Sequence, residues 1–283
     1  MKRDAIDPVN STSAEISRRG FTLLSSAALI GAAAPSPQTL GKPHPPFVAE
    51  DDPDITVSRP RLTPARGGEI GAYAASPRHR KDVMPGVVVI QAIWGVDAQL
   101  RDVVRRFAKL GYDAVAPALY DRLNPPSGDG AADIKPFLPV ANKMFEQGLQ
   151  SGDIKAAREF LTTHYKTPKA GIIGFCMGGR VVLEQIAGTA DFAAASVFYG
   201  EVQPPPSGTI SAAVLGSYGA RDTSIKAQDA RAFFDSLSAP HALKIYDAAG
   251  HAFFDDTRAR YVESAANDAW QRTLDWFLRY LNP

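Results

Sequence analysis

The sequence predicts an α/β fold: a mostly parallel central sheet with helices on both faces. Three observations predict it. Unbroken β-branched runs such as Val87-Val88-Val89-Ile90 are the signature of strands buried on both faces. Such runs alternate along the chain with segments of helical periodicity, which implies right-handed crossovers between parallel strands. The 283 residues are 45% apolar and 22% charged, enough for one sizeable core. No internal repeat and no second folded domain is visible.

The fold does not begin at residue 1. Ser17-Arg18-Arg19-Gly20-Phe21-Thr22-Leu23 leads directly into an apolar, small-residue stretch from Leu23 to Ala34. An arginine pair, a modest apolar run and an Ala-rich end are the parts of a twin-arginine export signal. Residues 1–34 are therefore expected to be a signal peptide and the protein to be periplasmic or secreted. Residues 35–54, rich in Pro and acidic side chains, read as a linker, and the folded domain is expected over residues 55–283.

Within that domain, Glu69 to Ala74 alternates weakly and reads as a strand paired with one near Thr56-Val57. Val87–Ile90 is the next strand. Asp97 suits the N-cap of a helix whose Leu100, Val103, Val104, Phe107 and Leu110 share one face, and Gly111 ends it. Asp113 to Ala116 is a short strand. Pro117 to Pro139, rich in Pro, Gly and Asp, is the longest irregular stretch and suits the rim of a site. Helices are expected over about Val140–Gln147 and Asp153–His164, then a strand at Gly171-Ile172-Ile173 and a helix through Val181-Val182-Leu183-Glu184. Further strands lie near Ala194–Phe198, Ala213–Ser217 and Leu243–Tyr246, with a helix over Ala227–Leu237 between the last two. The chain closes on a long helix, with Trp270, Leu274, Phe277, Leu278 and Leu281 expected on its inner face.

A net charge of +1 gives no reason to expect a nucleic-acid partner. One cysteine allows neither an intramolecular disulfide nor a cysteine-based metal site. No apolar run reaches the roughly 18 residues of a membrane span, so no stable membrane insertion is expected once a signal is removed.

The chemistry centres on Gly174-Phe175-Cys176-Met177-Gly178-Gly179, between a strand and a helix. This is the G-x-nucleophile-x-G pattern of the α/β-hydrolase nucleophile elbow, with Cys in place of Ser. Glycines flank the nucleophile because a β-carbon there would clash as the helix folds back over the strand. The helix N-terminus then lies beneath the sulfur, where its partial positive charge suits an anion. By itself the motif also fits a buried structural cysteine or a Gly-rich phosphate turn.

What favours the elbow is the order of groups after it. In this fold the nucleophile, the acid and the histidine follow one another, each just past the C-terminal end of a strand. The strand Ala213–Ser217 leads into Gly219-Ala220-Arg221-Asp222, and Leu243–Tyr246 leads into Ala249-Gly250-His251. Asp222 taken alone also suits a helix cap. His44, His79, His164 and His241 lack the strand-end position, which leaves His251.

Together these segments resemble the dienelactone hydrolase (carboxymethylenebutenolidase) family. The resemblance also takes in Gln91-Ala92-Ile93-Trp94-Gly95-Val96-Asp97, similar to that family's Q-E-I-F-G-V-N, and Leu119-Tyr120-Asp121-Arg122, similar to its L-Y-x-R. It implies an α/β-hydrolase fold and hydrolysis of a small ester or lactone, with no metal or other cofactor. Carried over by position, Cys176 is the nucleophile, His251 the general base and Asp222 its orienter. The backbone N–H groups of Ile93 and Met177 form the oxyanion hole, one donor following the nucleophile and one from an earlier strand-to-helix loop. Arg122 matches the arginine that holds the substrate carboxylate.

Two departures stand out. Ala92 occupies the position of the family's Glu, which takes part in activating the thiol. Asp255 stands where a second substrate arginine is usual, four residues after the histidine, and this disfavours a tightly held carboxylate. Arg258 is the residue placed to compensate. Two other functions are compatible with these departures: a catalytically weakened binding protein, and a thiol-redox protein using Cys176.

Overall fold

The computed structural model describes residues 44–80, 83–202 and 209–281. The expected signal, and the expected linker up to residue 43, lie outside the described residues. Nine strands among the described residues form the sheet, in the order β1-β3-β5-β4-β6-β7-β8-β9, with β2 also paired to β3. They are β1 (Ile55–Ser58), β2 (Arg61–Leu62), β3 (Ile70–Pro77), β4 (Gly86–Ile90), β5 (Asp113–Pro117), β6 (Ala170–Phe175), β7 (Ala194–Phe198), β8 (Ala213–Gly219) and β9 (His241–Tyr246). From β5 across to β9 every pairing is parallel; β3 runs antiparallel to β5, and β1 and β2 run antiparallel to β3.

Six α-helices cover the two faces: α1 (Ala98–Lys109), α2 (Leu138–Gln147), α3 (Gln150–Tyr165), α4 (Met177–Ile186), α5 (Ala227–Asp235) and α6 (Glu263–Leu281). The period-2 geometry of β4 divides its side chains between two cores. Val87 and Val89 pack with α1 and α6, and Val88 and Ile90 pack with α2 to α5. All four are fully buried, and burying each stabilises the fold by about 1.5–3 kcal/mol.

The strands and helices fall where the sequence pattern puts them, with differences at their ends. β2 was not expected; two residues are too few to show a period. The stretch 117–139 holds two short 3-10 turns, Asp121–Leu123 and Lys135–Phe137, and α2 starts at Leu138. Leu278 is not on the inner face of α6: it is 47% exposed, while Ala265, Ala266, Ala269, Thr273, Phe277 and Leu281 are buried. One residue past Phe277 is a turn of about 100° around the helix, which carries Leu278 off the buried stripe.

The folded region also begins before Ile55. Val48 is buried, and the backbone N–H groups of Phe47 and Val48 donate to the two carboxylate oxygens of Asp102 on α1, at 3.0 and 2.9 Å. Lys109 Nζ holds both Asp52 and Asp54. The second half of the expected linker is therefore fastened to α1. Among the described residues no helix is long and apolar enough to cross a membrane.

Candidate active site

The turn from β6 into α4 is tight because two glycines allow it. A β-carbon on Gly174 would lie 2.2 Å from the Gly178 carbonyl oxygen, and one on Gly178 would lie 2.4 Å from that of Gln91. Between them Cys176 adopts φ 55° and ψ −118°, a strained conformation for a residue with a side chain. Hydrogen bonds fix it: Cys176 N–H donates to Phe198 O at 3.0 Å, and Gly179 N–H to Cys176 O at 2.9 Å. The sulfur thus projects above the sheet at the N-terminus of α4.

Strand order brings the other two groups alongside. β6, β7, β8 and β9 are successive neighbours, so the segments after their C-terminal ends share one edge of the sheet. His251 Nδ1 lies 2.7 Å from Asp222 Oδ2, and His251 Nε2 lies 3.0 Å from Cys176 Sγ. Asp222 uses its second oxygen locally, accepting from Ser224 N–H and Ile225 N–H at 2.8 and 2.9 Å. The two oxygens thus divide their partners, backbone N–H groups on Oδ1 and the imidazole on Oδ2. Its side chain is fully buried.

The electrostatics follow from these contacts. Burial by itself would lower the pKa of His251, but the hydrogen bonds to Asp222 and Cys176 outweigh it and raise the imidazole to about 10. Burial would raise Asp222, but His251 and the two backbone donors hold it below the ordinary carboxylate range. The imidazole is consequently charged through neutral pH and donates to both partners.

Ile93 lies in the turn closed by Gly95 N–H on Ala92 O at 3.2 Å. The close approach of Gly178 to Ile90 and Gln91 sets that turn against the start of α4. Met177 is the first residue of α4, where N–H groups have no carbonyl of their own helix to bond. Ala92 packs in the same apolar cluster as Cys176.

Arg122 is not presented as a free cation. Its Nη1 and Nη2 donate to the two oxygens of the buried Asp153 at 2.9 and 2.8 Å, and Nη2 also donates to Gly68 O at 2.8 Å. Sequence could not show this partner, because Asp153 comes from α3, thirty-one positions away. Arg258 is equally committed: Nε donates to Asp255 Oδ2 at 3.0 Å, and Nη2 to Asp97 Oδ2 and Gly128 O, both at 3.2 Å. Nη1 donates to Ala131 O. The guanidinium also lies 3.7 Å from the centre of the Trp94 ring. Burial first, then Asp255, push Asp97 up to about 7 against the pull of Leu100 N–H and Arg258.

Two tyrosines complete the surroundings. The Tyr120 hydroxyl, kept protonated by burial, donates to Met177 Sδ at 3.1 Å. Tyr199, buried at φ 40°, stands with its ring 5.2 Å from that of His251. Neither was singled out from sequence, yet Tyr199 directly follows β7, the strand beside the elbow. The rule that selects His251 by its strand-end position selects Tyr199 too.

A mostly parallel sheet with antiparallel strands at one side, and a strained glycine-flanked turn between its central strand β6 and α4, define the class as α/β-hydrolase. Within that class, the model of the dienelactone hydrolase family matches residues 70–281, and the chain belongs to that family. It is similar to a Yersinia pestis protein named "Putative carboxymethylenebutenolidase", 35% identical over 77% of this chain and 86% of that one. An Escherichia coli K12 protein of the same name is 34% identical over 82% of this chain and 91% of the relative. The crystal structure of a "Putative Dienelactone Hydrolase" from Klebsiella pneumoniae superposes with a TM-score of 0.70 at 31% identity, covering 80% of this chain and 99% of that one. The protein is a hydrolase of the class acting on carboxylic ester and lactone bonds.

Proposed function

We propose that the protein is an exported hydrolase that cleaves a small ester or lactone through Cys176, His251 and Asp222. The observation that carries this reading is the unbroken chain of contacts from Asp222 through His251 to Cys176, at 2.7 and 3.0 Å. In the resting site the proton sits on His251 Nε2, and Sγ acts as the thiolate. Sγ attacks the carbonyl carbon, and the carbonyl oxygen takes the negative charge between the N–H groups of Met177 and Ile93. Collapse breaks the bond to the leaving oxygen, which takes the proton from His251 Nε2. In a lactone that oxygen stays on the same molecule.

The imidazole, now neutral, accepts a proton from water as the water attacks the thioester. A second oxyanion forms in the same hole and collapses, releasing the acid. Thiolate and imidazolium are restored. Asp222 holds Nδ1–H throughout and stabilises the charged imidazole.

The intact order of three groups speaks for this reading over a decayed binding protein. A redox role would need an external thiol to resolve the oxidised sulfur, since the chain has one cysteine. A panel of esters and lactones, assayed with the purified protein and with Cys176→Ala, separates these readings: hydrolysis abolished in the variant is the expected result. Export through Arg18-Arg19 is tested by replacing both with Lys, which should leave the precursor in the cytoplasm. Normal export of that variant would refute the twin-arginine route.

A further inference from the structure

We infer that the site selects uncharged esters and lactones and discriminates against substrates that carry a carboxylate near the scissile bond. The inference rests on the hydrolase reading above and concerns the substrate class of that same site.

A cavity of about 270 Å³ lies beside the elbow, walled by Trp94, Tyr120, Pro125 and Pro126 among others. Two of its lining residues neighbour the site. Trp94 follows Ile93, and the Tyr120 hydroxyl bonds to Met177 Sδ. A volume of that size suits a small substituent. Among the described residues, the arginines around it are all paired. Arg101, which lines it, donates to Asp129 Oδ2 at 2.8 Å and to Val96 O at 2.7 Å. Arg258, stacked behind Trp94, is shared by Asp97 and Asp255. Arg122, in the next turn of chain after Tyr120, is gripped at both Nη atoms by Asp153.

Two carboxylates on one guanidinium leave the Arg258 cluster neutral or negative. An incoming carboxylate would lose its water and find no free cation in exchange, with like charge nearby. Asp121 adds a further carboxylate to the lining, accepting from Arg61 Nη1 and Gly71 N–H, both at 2.9 Å. Gln91 is fully buried and lines the cavity; its Oε1 accepts from Leu119 N–H at 3.2 Å, and its amide faces the Tyr120 hydroxyl.

The test uses a matched pair, mono-4-nitrophenyl succinate and its methyl ester, one charged at the distal carboxyl and one not, with the enzyme-free rate subtracted from each because the free carboxylate also expels nitrophenolate by attack on its own ester. Release of nitrophenolate is followed at about pH 8, where the free acid is ionised. The expected result is a kcat/KM higher for the methyl ester by about tenfold or more, with the gap narrowing in high salt. Asp255→Asn leaves Arg258 with one carboxylate in place of two, and should raise the rate on the acid relative to the methyl ester by about threefold or more. Equal or faster cleavage of the acid by the native enzyme would overturn the inference and leave the hydrolase reading standing. Cleavage of neither ester would overturn the hydrolase reading itself, and the inference with it.

Discussion

His251 Nε2 stands 3.0 Å from Cys176 Sγ, although the two residues are 75 positions apart in the chain. The contact exists because β6 and β9 belong to the same run of parallel strands, ending on the same side. Nothing local to either residue brings them together. If the contact is the working bond of the enzyme, Cys176→Ala and His251→Ala should each lower kcat by about a thousandfold or more. Cys176→Ser should also lose most activity, since an alcohol is a far weaker acid than a thiol and this imidazole is already charged. Two of the remaining histidines provide the control. His164 stacks on Phe160 at the end of α3, and His241 bonds Ala239 O at the exposed start of β9. Alanine at either should leave turnover within about twofold, and an equal loss there would dismiss the triad.

The charge on His251 also carries a stability signature. Its ordinary value is 6.5 and its folded value is about 10. Up to about pH 8.5 the proton on the imidazole is the one the thiol has given up, and an unfolded chain keeps it on its cysteine, so the two states bind equal numbers; between about 8.5 and 10 the folded pair holds a proton that the unfolded chain has released. The contribution of the His251–Cys176 pair is therefore level between pH 6.5 and about 8.5 and is lost as pH rises from there through about 10. Urea midpoints measured across that window for the native protein and for His251→Gln should converge as pH rises. A difference that stays constant with pH would mean the imidazole is not held charged.

The elbow glycines give a prediction of a different kind. The β-carbon of a Gly174→Ala variant would stand 2.2 Å from the backbone oxygen of Gly178. Backbone cannot swing aside as a side-chain tip can, so α4 must move off β6. The expected cost is about 3 kcal/mol or more, with loss of activity beyond what unfolding explains. An unshifted melting curve would contradict the packing described for this turn.

Much of this was legible in the sequence, and the reason differs from case to case. Val87–Ile90 could be placed as an interior strand because a β-branched run has few other uses. Cys176, Asp222 and His251 could be assembled because fold topology converts chain order into position. Arg122 reads as a substrate arginine only while Asp153 is out of view, since a charge partner supplied by another helix leaves no mark on the segment itself. Arg258 is the same case with more partners: its bonds to Asp97, Gly128 and Ala131 come from parts of the chain with no pattern linking them. The Pro-rich and acidic composition of residues 44–54 is what a linker has, and composition cannot report that Asp102 draws two of its backbone N–H groups into the fold.

That last contact yields a prediction about where the domain begins. Asp102 is buried and accepts from Phe47 N–H, Val48 N–H and Arg106. Arg106 in turn pairs with Asp256, five residues after His251, and His44 N–H donates to Asp256 O at 2.7 Å. The segment from His44 to Val48 is thus tied both to α1 and to the loop that carries the histidine. A protein beginning at His44 keeps these bonds; one beginning at Ile55 loses them and leaves Asp102 with only arginines for donors. Hydrogen bonds to a charged acceptor contribute about 1.5–3 kcal/mol each, and burial of Val48 adds about 1.5 kcal/mol or more. The shorter protein should therefore be less stable by about 3 kcal/mol or more, allowing for the entropy regained by the freed segment. Because Asp256 loses a backbone partner as well, its kcat should fall even at temperatures where it remains folded. Paired urea titrations and ester assays on the two proteins check this. Equal stability would mean that residues 44–54 are a linker after all, resting on α1 without holding it.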